Sequence, residues 1–284
     1  MIDTLITYVP FYRVHEIKKY FAQNMANLKP NRSIVYVDNV FEEAQKNMLE
    51  QIFPNGVQLR TGNWKDRNLC FIQILKDMKS ESSNALVVDS DNILEQGFRE
   101  LDDALSKAGY SYYTVLDYEC TTLKKFLSRS ILLSKLELWG SKISVYGYRV
   151  IGTWKGIFFL GPKQAVKLDR QLLEKLDTHV IVDVENSLLK IEPDVRYHIT
   201  DETTLGLIYY YSGIDVVPWV IFSHHQRHDL SKTIDLRTRR MLNATARAQF
   251  ARGMLKRKYG RMYWFYIRYK LSQIIYNLLV IIAR

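Results

Sequence analysis

Residues 5–88 alternate short apolar runs with longer stretches whose apolar residues recur every three to four positions, and few folds accommodate that alternation. Leu5-Ile6-Thr7-Tyr8-Val9 reads as a strand closed by Pro10. Residues 14–28 then carry Val14, Ile17, Phe21, Met25 and Leu28 along one helical stripe. The pattern repeats: Ser33-Ile34-Val35-Tyr36-Val37-Asp38 is a second strand, residues 41–52 a helix, residues 57–60 a short strand and residues 67–78 a helix. Ala85-Leu86-Val87-Val88 has no polar position, as a strand covered on both faces requires. The chain is therefore predicted to be α/β, a mainly parallel sheet flanked by helices.

Beyond this stretch the periodicity predicts a helix over 101–107, a strand over 110–116 and an amphipathic helix over 123–138. Ile157-Phe158-Phe159-Leu160 reads as a buried strand, with Pro162 in the first turn of a helix after it. Residues 205–211 read as helix, Gly213 ends it, and Asp215-Val216-Val217 returns to a strand.

A chain of 284 residues can bury a full core as one large domain, or as one domain with an appendage. Charge separates the two parts. Residues 233–284 hold 12 Lys and Arg against the single acid Asp235, whereas residues 1–232 hold 28 basic and 29 acidic residues. The predicted organisation is a near-neutral domain over 1–230 and a basic helical appendage over 231–284. Cys70 and Cys120 are too far apart for a zinc or redox motif and read as buried free thiols in a reducing compartment. The opening MIDTLITYVP lacks the basic and long apolar regions of a secretory signal.

The sharpest chemical feature is Asp89-Ser90-Asp91, two carboxylates one residue apart directly after an apolar strand. In α/β sheets ligands bind outside the carboxyl ends of the strands, so these acids stand where chemistry occurs. Oxygen-only ligands suit Mg²⁺ or Mn²⁺, which take their remaining ligands from water and substrate phosphates. The competing reading is a turn that caps a following helix. His224, His225 and His228 form a second cluster; His225 is the candidate third metal ligand, against a solvated loop.

With these residues in place the chain resembles nucleotide-sugar glycosyltransferases of the GT-A fold, in particular the inverting family-2-like group. Val9-Pro10-Phe11-Tyr12 resembles the loop bordering the donor nucleotide, and Asp38 stands where that family has the acid contacting the base. Asn63 and Lys65-Asp66-Arg67-Asn68 match the stretch opening the next helix beside the donor, and Asp89-Ser90-Asp91 matches the DxD motif. Asp201-Glu202-Thr203-Thr204-Leu205-Gly206, followed by Gly213 and Pro218, is similar to the acidic pair with its helix, Gly and strand. The resemblance covers residues 3–228. It implies donor binding at Pro10, Tyr12, Asp38, Asn63, Lys65 and Arg67, a divalent cation on Asp89 and Asp91, and Glu202 as general base with Asp201 second. Three departures stand out: Glu at the second acid, Trp154-Lys155-Gly156 in place of a Gly-Gly acceptor loop, and a stretch over 172–199 longer and more strand-like than the pattern. Apart from any resemblance, a sugar hydroxyl needs a carboxylate within reach to take its proton, and an acid at a helix N-terminus serves equally as a dipole-stabilising cap.

The appendage ends in an apolar run after Lys270 of about 13 residues, shorter than the ~20 a spanning helix needs. Tyr263, Trp264, Phe265, Tyr266 and Tyr269 beside Arg261, Arg268 and Lys270 have the composition of a helix in a membrane interface, and Lys256-Arg257-Lys258 would meet anionic headgroups. Single-stranded nucleic acid, and a helical pair folded back on the domain or forming a homo-oligomer, are the competing readings, nucleic acid the less favoured. The expectation is a glycosyltransferase using a nucleotide-sugar donor and a glycan or lipid-linked acceptor, cytoplasmic and peripheral on the inner face of the membrane. The alternatives are a nucleotidyltransferase with the same metal and phosphate logic, or a nucleic-acid-binding protein acting through its tail.

Overall fold

A computed structural model of the protein describes residues 2–94, 97–107, 109, 111–116, 144–145, 148–149, 163–197, 199, 201–214, 218–220 and 223–225. The first half runs β1 (Thr4–Pro10), a 3-10 turn (Phe11–Arg13), α1 (Val14–Leu28), β2 (Arg32–Asp38), α2 (Glu43–Ile52), β3 (Val57–Gly62), α3 (Arg67–Glu81) and β4 (Ala85–Val88). There follow β5 (Asn92–Leu94), α4 (Phe98–Lys107), β6 (Tyr113–Leu116), the short pair β7 (Ser144–Val145) and β8 (Tyr148–Arg149), and β9 (Lys163–Leu168). Four helices come next, α5 (Arg170–Lys175), α6 (Thr178–Leu189), α7 (Pro193–Arg196) and α8 (Asp201–Tyr211), then β10 (Pro218–Val220) and β11 (Ser223–His225).

The main sheet has the order β10-β6-β9-β4-β1-β2-β3. β1 pairs in parallel with β2 and β4, β2 with β3, and β6 with β10; only β9 runs antiparallel, between β4 and β6. This is the expected mainly parallel α/β sheet flanked by helices. Alternate residues feed two cores. Leu5, Val9, Val35, Val37, Leu86 and Val88 pack with α1, α2 and α4, whereas Ile6, Ile34, Tyr36 and Val87 pack with α3, α5, α6 and α8. Each fully buried aliphatic side chain contributes about 1.5–3 kcal/mol, so a sheet covered on both faces tolerates almost no polar position in β4.

Caps set several helix starts. Asp66, Asp169 and Asp177 accept from the backbone N–H of Asn68, Leu172 and His179 at 2.6, 2.7 and 2.8 Å. α2 begins with a capping box of Glu42 and Gln45, which places its start at Glu43 rather than Phe41. α1 and α3 both end on a left-handed residue that is not glycine, Lys29 and Ser82. Gly213, at φ 69°, follows α8 as expected.

Two expectations are corrected. Residues 163–168, predicted to continue a helix begun at Pro162, form strand β9 instead. Its second lysine hid it: Lys167 is 2% exposed and ion-paired with Asp102 of α4, its ammonium 5.8 Å over the Tyr113 ring. The stretch 172–199, strand-like in composition, is helical, because Asp169 and Asp177 cap α5 and α6 and the β-branched Val180, Ile181 and Val184 supply α6's buried stripe. Cys70 is a buried free thiol. The predicted helix over 123–138, strands over 157–160 and 215–217, Trp154, Pro162, His228, Cys120 and the appendage over 231–284 lie outside the described residues.

Candidate active site

The parallel strands β3-β2-β1-β4 place their carboxyl ends along one edge. Pro10 pairs with Asp38, Asp38 with Gly62, and Ile6 with Val87. β1 leads to β2 on one side, whereas the chain leaving β3 crosses to β4 on the other, so the strand order reverses between β1 and β4. A ligand crevice opens at such a point. Two residues beyond the Ile6–Val87 pair stand Tyr8 and Asp89, at the same level and facing the same side.

Asp89, Ser90 and Asp91 form a turn closed by the Asn92 N–H donating to the Asp89 carbonyl at 3.1 Å, and both acids are half-buried. The turn leads into strand β5, not into a helix, so these acids do not cap one. Asn24 of α1, 3% exposed, holds β5 as a neighbouring strand would: its Nδ2 donates to the Asn92 carbonyl at 2.8 Å and its Oδ1 accepts from the Leu94 N–H at 2.8 Å. Asn27 Nδ2 adds a bond to the Leu94 carbonyl at 2.7 Å. On its other edge β5 pairs with β11, where His225 stands opposite Asn92, beside Asp91 in the register.

Tyr8 joins the two acidic motifs. Its hydroxyl lies 3.3 Å from Asp89 Oδ1 and makes a short hydrogen bond to Oδ2 of Asp201, the buried first residue of α8. Burial, and then the negative charges of Asp201 and Asp89, push the phenol well above the ordinary tyrosine value, with Arg67 pulling the other way. The hydroxyl therefore stays protonated at neutral pH and donates. Glu202 follows Asp201 in the first turn of α8; only its backbone is among the described residues.

The start of α8 is fixed by a buried polar network. Asn68 Nδ2 donates to the Ile199 carbonyl at 2.9 Å and to Asp66 Oδ1 at 2.9 Å, and Thr204 Oγ1 donates to Asn68 Oδ1 at 2.8 Å. Arg196 Nε reaches Asp66 Oδ2 at 2.9 Å. Burial raises the Asp66 carboxyl against the opposing pull of the Asn68 donors and of Arg196 and Arg67. Asp66 and Asn68 thus join α3 to α7 and α8, and Arg67, exposed between them, is the member of that stretch turned to solvent.

At the other end of the edge Asp38, 6% exposed, gathers a loop: its Oδ1 accepts from the N–H groups of Asn39, Trp64 and Lys65 at 2.8, 2.7 and 3.1 Å. Asn39 and Lys65 both hold positive φ to make this possible. Asn63 and Lys65 are exposed on the loop, Pro10 is half-buried, and Tyr12 on the 3-10 turn is 72% exposed. The structure therefore draws Asp89 and Asp201 together at Tyr8, leaves Arg67 exposed at the start of α3, and gathers Asn63 and Lys65 on the loop held by Asp38. Sequence reasoning missed Tyr8, which reads as one more core residue of an apolar strand. It also missed Asn24 and Arg196, for which the sequence carries no signal; Asp66 and Asn68 carried the cap signature of a helix start.

The carboxylates suit a hard cation: two half-buried acids on one tight turn offer oxygen ligands, and such an ion takes its remaining ligands from phosphate oxygens and water. Among the described residues no group of three or more His, Cys, Asp or Glu is arranged to hold a metal alone. Asp89 and Asp91 are the residues that would hold the ion; of His225 the pairing of β11 with β5 gives the backbone position.

No family model and no curated protein matches the sequence. Among solved structures the chain is similar to 4-diphosphocytidyl-2C-methyl-D-erythritol synthase from Anaerococcus prevotii, at 11% identity over 86% of this chain and 95% of that one, with a TM-score of 0.42. It is also similar to the galactosyltransferase LgtC in complex with donor and acceptor sugar analogues, at 10% identity over 85% and 95% with a TM-score of 0.40. A third is the inositol-1-phosphate CTP transferase from T. maritima, at 10% identity over 86% and 96% with a TM-score of 0.38. Likenesses this distant establish neither a family nor an activity for the chain.

Proposed function

We propose that the protein is a metal-assisted glycosyltransferase of the GT-A type, moving a sugar from a nucleoside-diphosphate donor to an acceptor hydroxyl with inversion. One observation carries the reading. Tyr8 bridges Asp89 and Asp201, so acids from two motifs far apart in sequence share one site at the strand-order reversal.

Asp89 and Asp91 would hold Mg²⁺ or Mn²⁺, which when bound neutralises the charge of a departing diphosphate. The Asp38 loop, with Asn63, Lys65, Pro10 and Tyr12, would border the nucleotide, and Arg67 would meet its phosphates. An acid of the Asp201–Glu202 pair would take the proton of the acceptor hydroxyl. The acceptor oxygen then bonds to the anomeric carbon from the face opposite the leaving group. The bond from that carbon to the phosphate oxygen breaks, and its electron pair departs with the diphosphate.

The test is a thermal-shift screen of UDP-, GDP- and CMP-sugars with and without Mn²⁺, because a bound donor raises the melting temperature by mass action. Hits are then assayed for product. Release of the nucleotide carrier supports glycosyl transfer; release of pyrophosphate from a nucleoside triphosphate and a sugar phosphate would instead make the protein a nucleotidyltransferase.

A further inference from the structure

We infer that Tyr8 is a positioning residue acting through Asp201, and that Asp201 is thereby the acid of the Asp201–Glu202 pair built into the site; the inference rests on the glycosyl-transfer reading above.

The backbone of Asp201 and the orientation of its carboxylate are set separately. The Asn68 bonds to Ile199 and Thr204 hold the chain on either side of Asp201, so its Cα is fixed from α3. That leaves the side-chain torsions. The hydrogen bond from Tyr8 to Oδ2 orients the carboxylate. Tyr8 can do this because its ring is held independently of its hydroxyl, edge-on to Phe71 of α3 with centroids 5.9 Å apart and planes at 60°. A phenol has one proton to donate, and Asp89 Oδ1, at 3.3 Å, lies beyond the usual O–H···O range, which leaves the proton to Asp201.

The same hydroxyl stands between two carboxylates that would otherwise repel each other across the crevice. A general base misplaced by a rotamer change loses turnover while the donor, held elsewhere, still binds.

The experiment is a double-mutant cycle of wild type, Y8F, D201N and Y8F/D201N in the full chain, read in two ways. Phenylalanine keeps the packing on Phe71 and removes only the hydroxyl. Steady-state turnover of the donor found in the screen is expected to fall roughly 10- to 100-fold in Y8F, with donor KM within about twofold. The double variant should be no slower than D201N alone. Wild-type kcat in Y8F, or losses that multiply in the double variant, would overturn the inference and leave the transferase reading standing. The second reading is the urea midpoint of the four proteins, which needs no substrate. Midpoint shifts that simply add would show that the Tyr8–Asp201 bond is not made, and would overturn the inference whatever the activity. Coupled midpoints with no turnover of any donor by wild type would overturn both the positioning role and the transferase reading.

Discussion

Asp89 and Asp91 differ in their surroundings although one residue separates them. Asp89 is engaged by Tyr8 at the strand end, whereas Asp91 stands beside Asn92, whose register partner is His225. Asp91→Asn is expected to abolish the Mn²⁺-dependent part of the donor thermal shift without lowering the melting temperature of the free protein, since a half-buried turn residue carries little of the core. Retention of the full Mn²⁺ effect would remove Asp91 from the metal site. The acidic pair separates in the same way. Asp201→Asn should lower turnover by ~10²–10⁴, as loss of a general base does, with Glu202→Gln the smaller effect; the reverse ranking, measured as kcat at saturating donor, would move the base to Glu202. Arg196 is a different case, since it touches no candidate ligand and serves Asp66. Both side chains are nearly fully buried, at 6% and 4% exposure, so Arg196→Met strands a carboxylate and should cost about 3–5 kcal/mol in urea unfolding. Adding Asp66→Asn should recover part of that loss, because the stranded charge is then gone.

Elements were legible where burial alone shaped the sequence. The strands β1, β2 and β4 and the helices α1 and α3 follow from apolar runs and stripes, and so does the edge on which Asp38 and Asp89 stand. β9 was not legible because its Lys167 is a buried ion-pair partner, and a lysine in a strand reads as a solvent-facing position. The site was half legible for a related reason: motif residues declare themselves by type, whereas Tyr8, Asn24 and Arg196 act through partners that only the fold brings near. Asn24 shows what such a residue does for an element. β5 is three residues long, and Asn24 satisfies a carbonyl and an N–H within it. Asn24→Ala removes both bonds and should cost about 1–3 kcal/mol. Thermal unfolding checks the stability, and a weakened Mn²⁺ response would show that the Asp89–Asp91 turn loosens with it. Gly62 is constrained from the other side. A Cβ there would stand 2.6 Å from the Trp64 ring, and Trp64 is one of the three N–H donors on Asp38. Gly62→Ala should therefore disturb the Asp38 loop and weaken nucleotide binding, read by calorimetry, more than it lowers stability.

At the scale of the whole chain, the two-faced core is built from described residues of the near-neutral stretch 1–232, and residues 233–284 lie outside the described residues. Among the described residues no helix is long and apolar enough to cross a membrane. The proposal for the appendage therefore rests on its sequence: 12 Lys and Arg against Asp235, five aromatics over 263–269, and a terminal apolar run too short to span. Each basic side chain near an anionic surface contributes on the order of 1 kcal/mol, so several acting together can hold a protein there, with the aromatics and residues 274–282 inserted below the headgroups. A transferase so held would meet a lipid-linked acceptor in two dimensions, with its strand-end crevice supplied with donor from solution. Binding of this kind is reversible and partly salt-sensitive, because the Coulombic share is screened and the apolar share is not. Liposome co-sedimentation of the full chain and of residues 1–232, with and without anionic lipid and at low and high salt, is expected to pellet only the full chain, most strongly with anionic lipid at low salt. Equal pelleting of the two proteins would end the membrane role. Binding of single-stranded nucleic acid by the full chain, with no affinity for any vesicle, would assign the basic segment to phosphates of another kind.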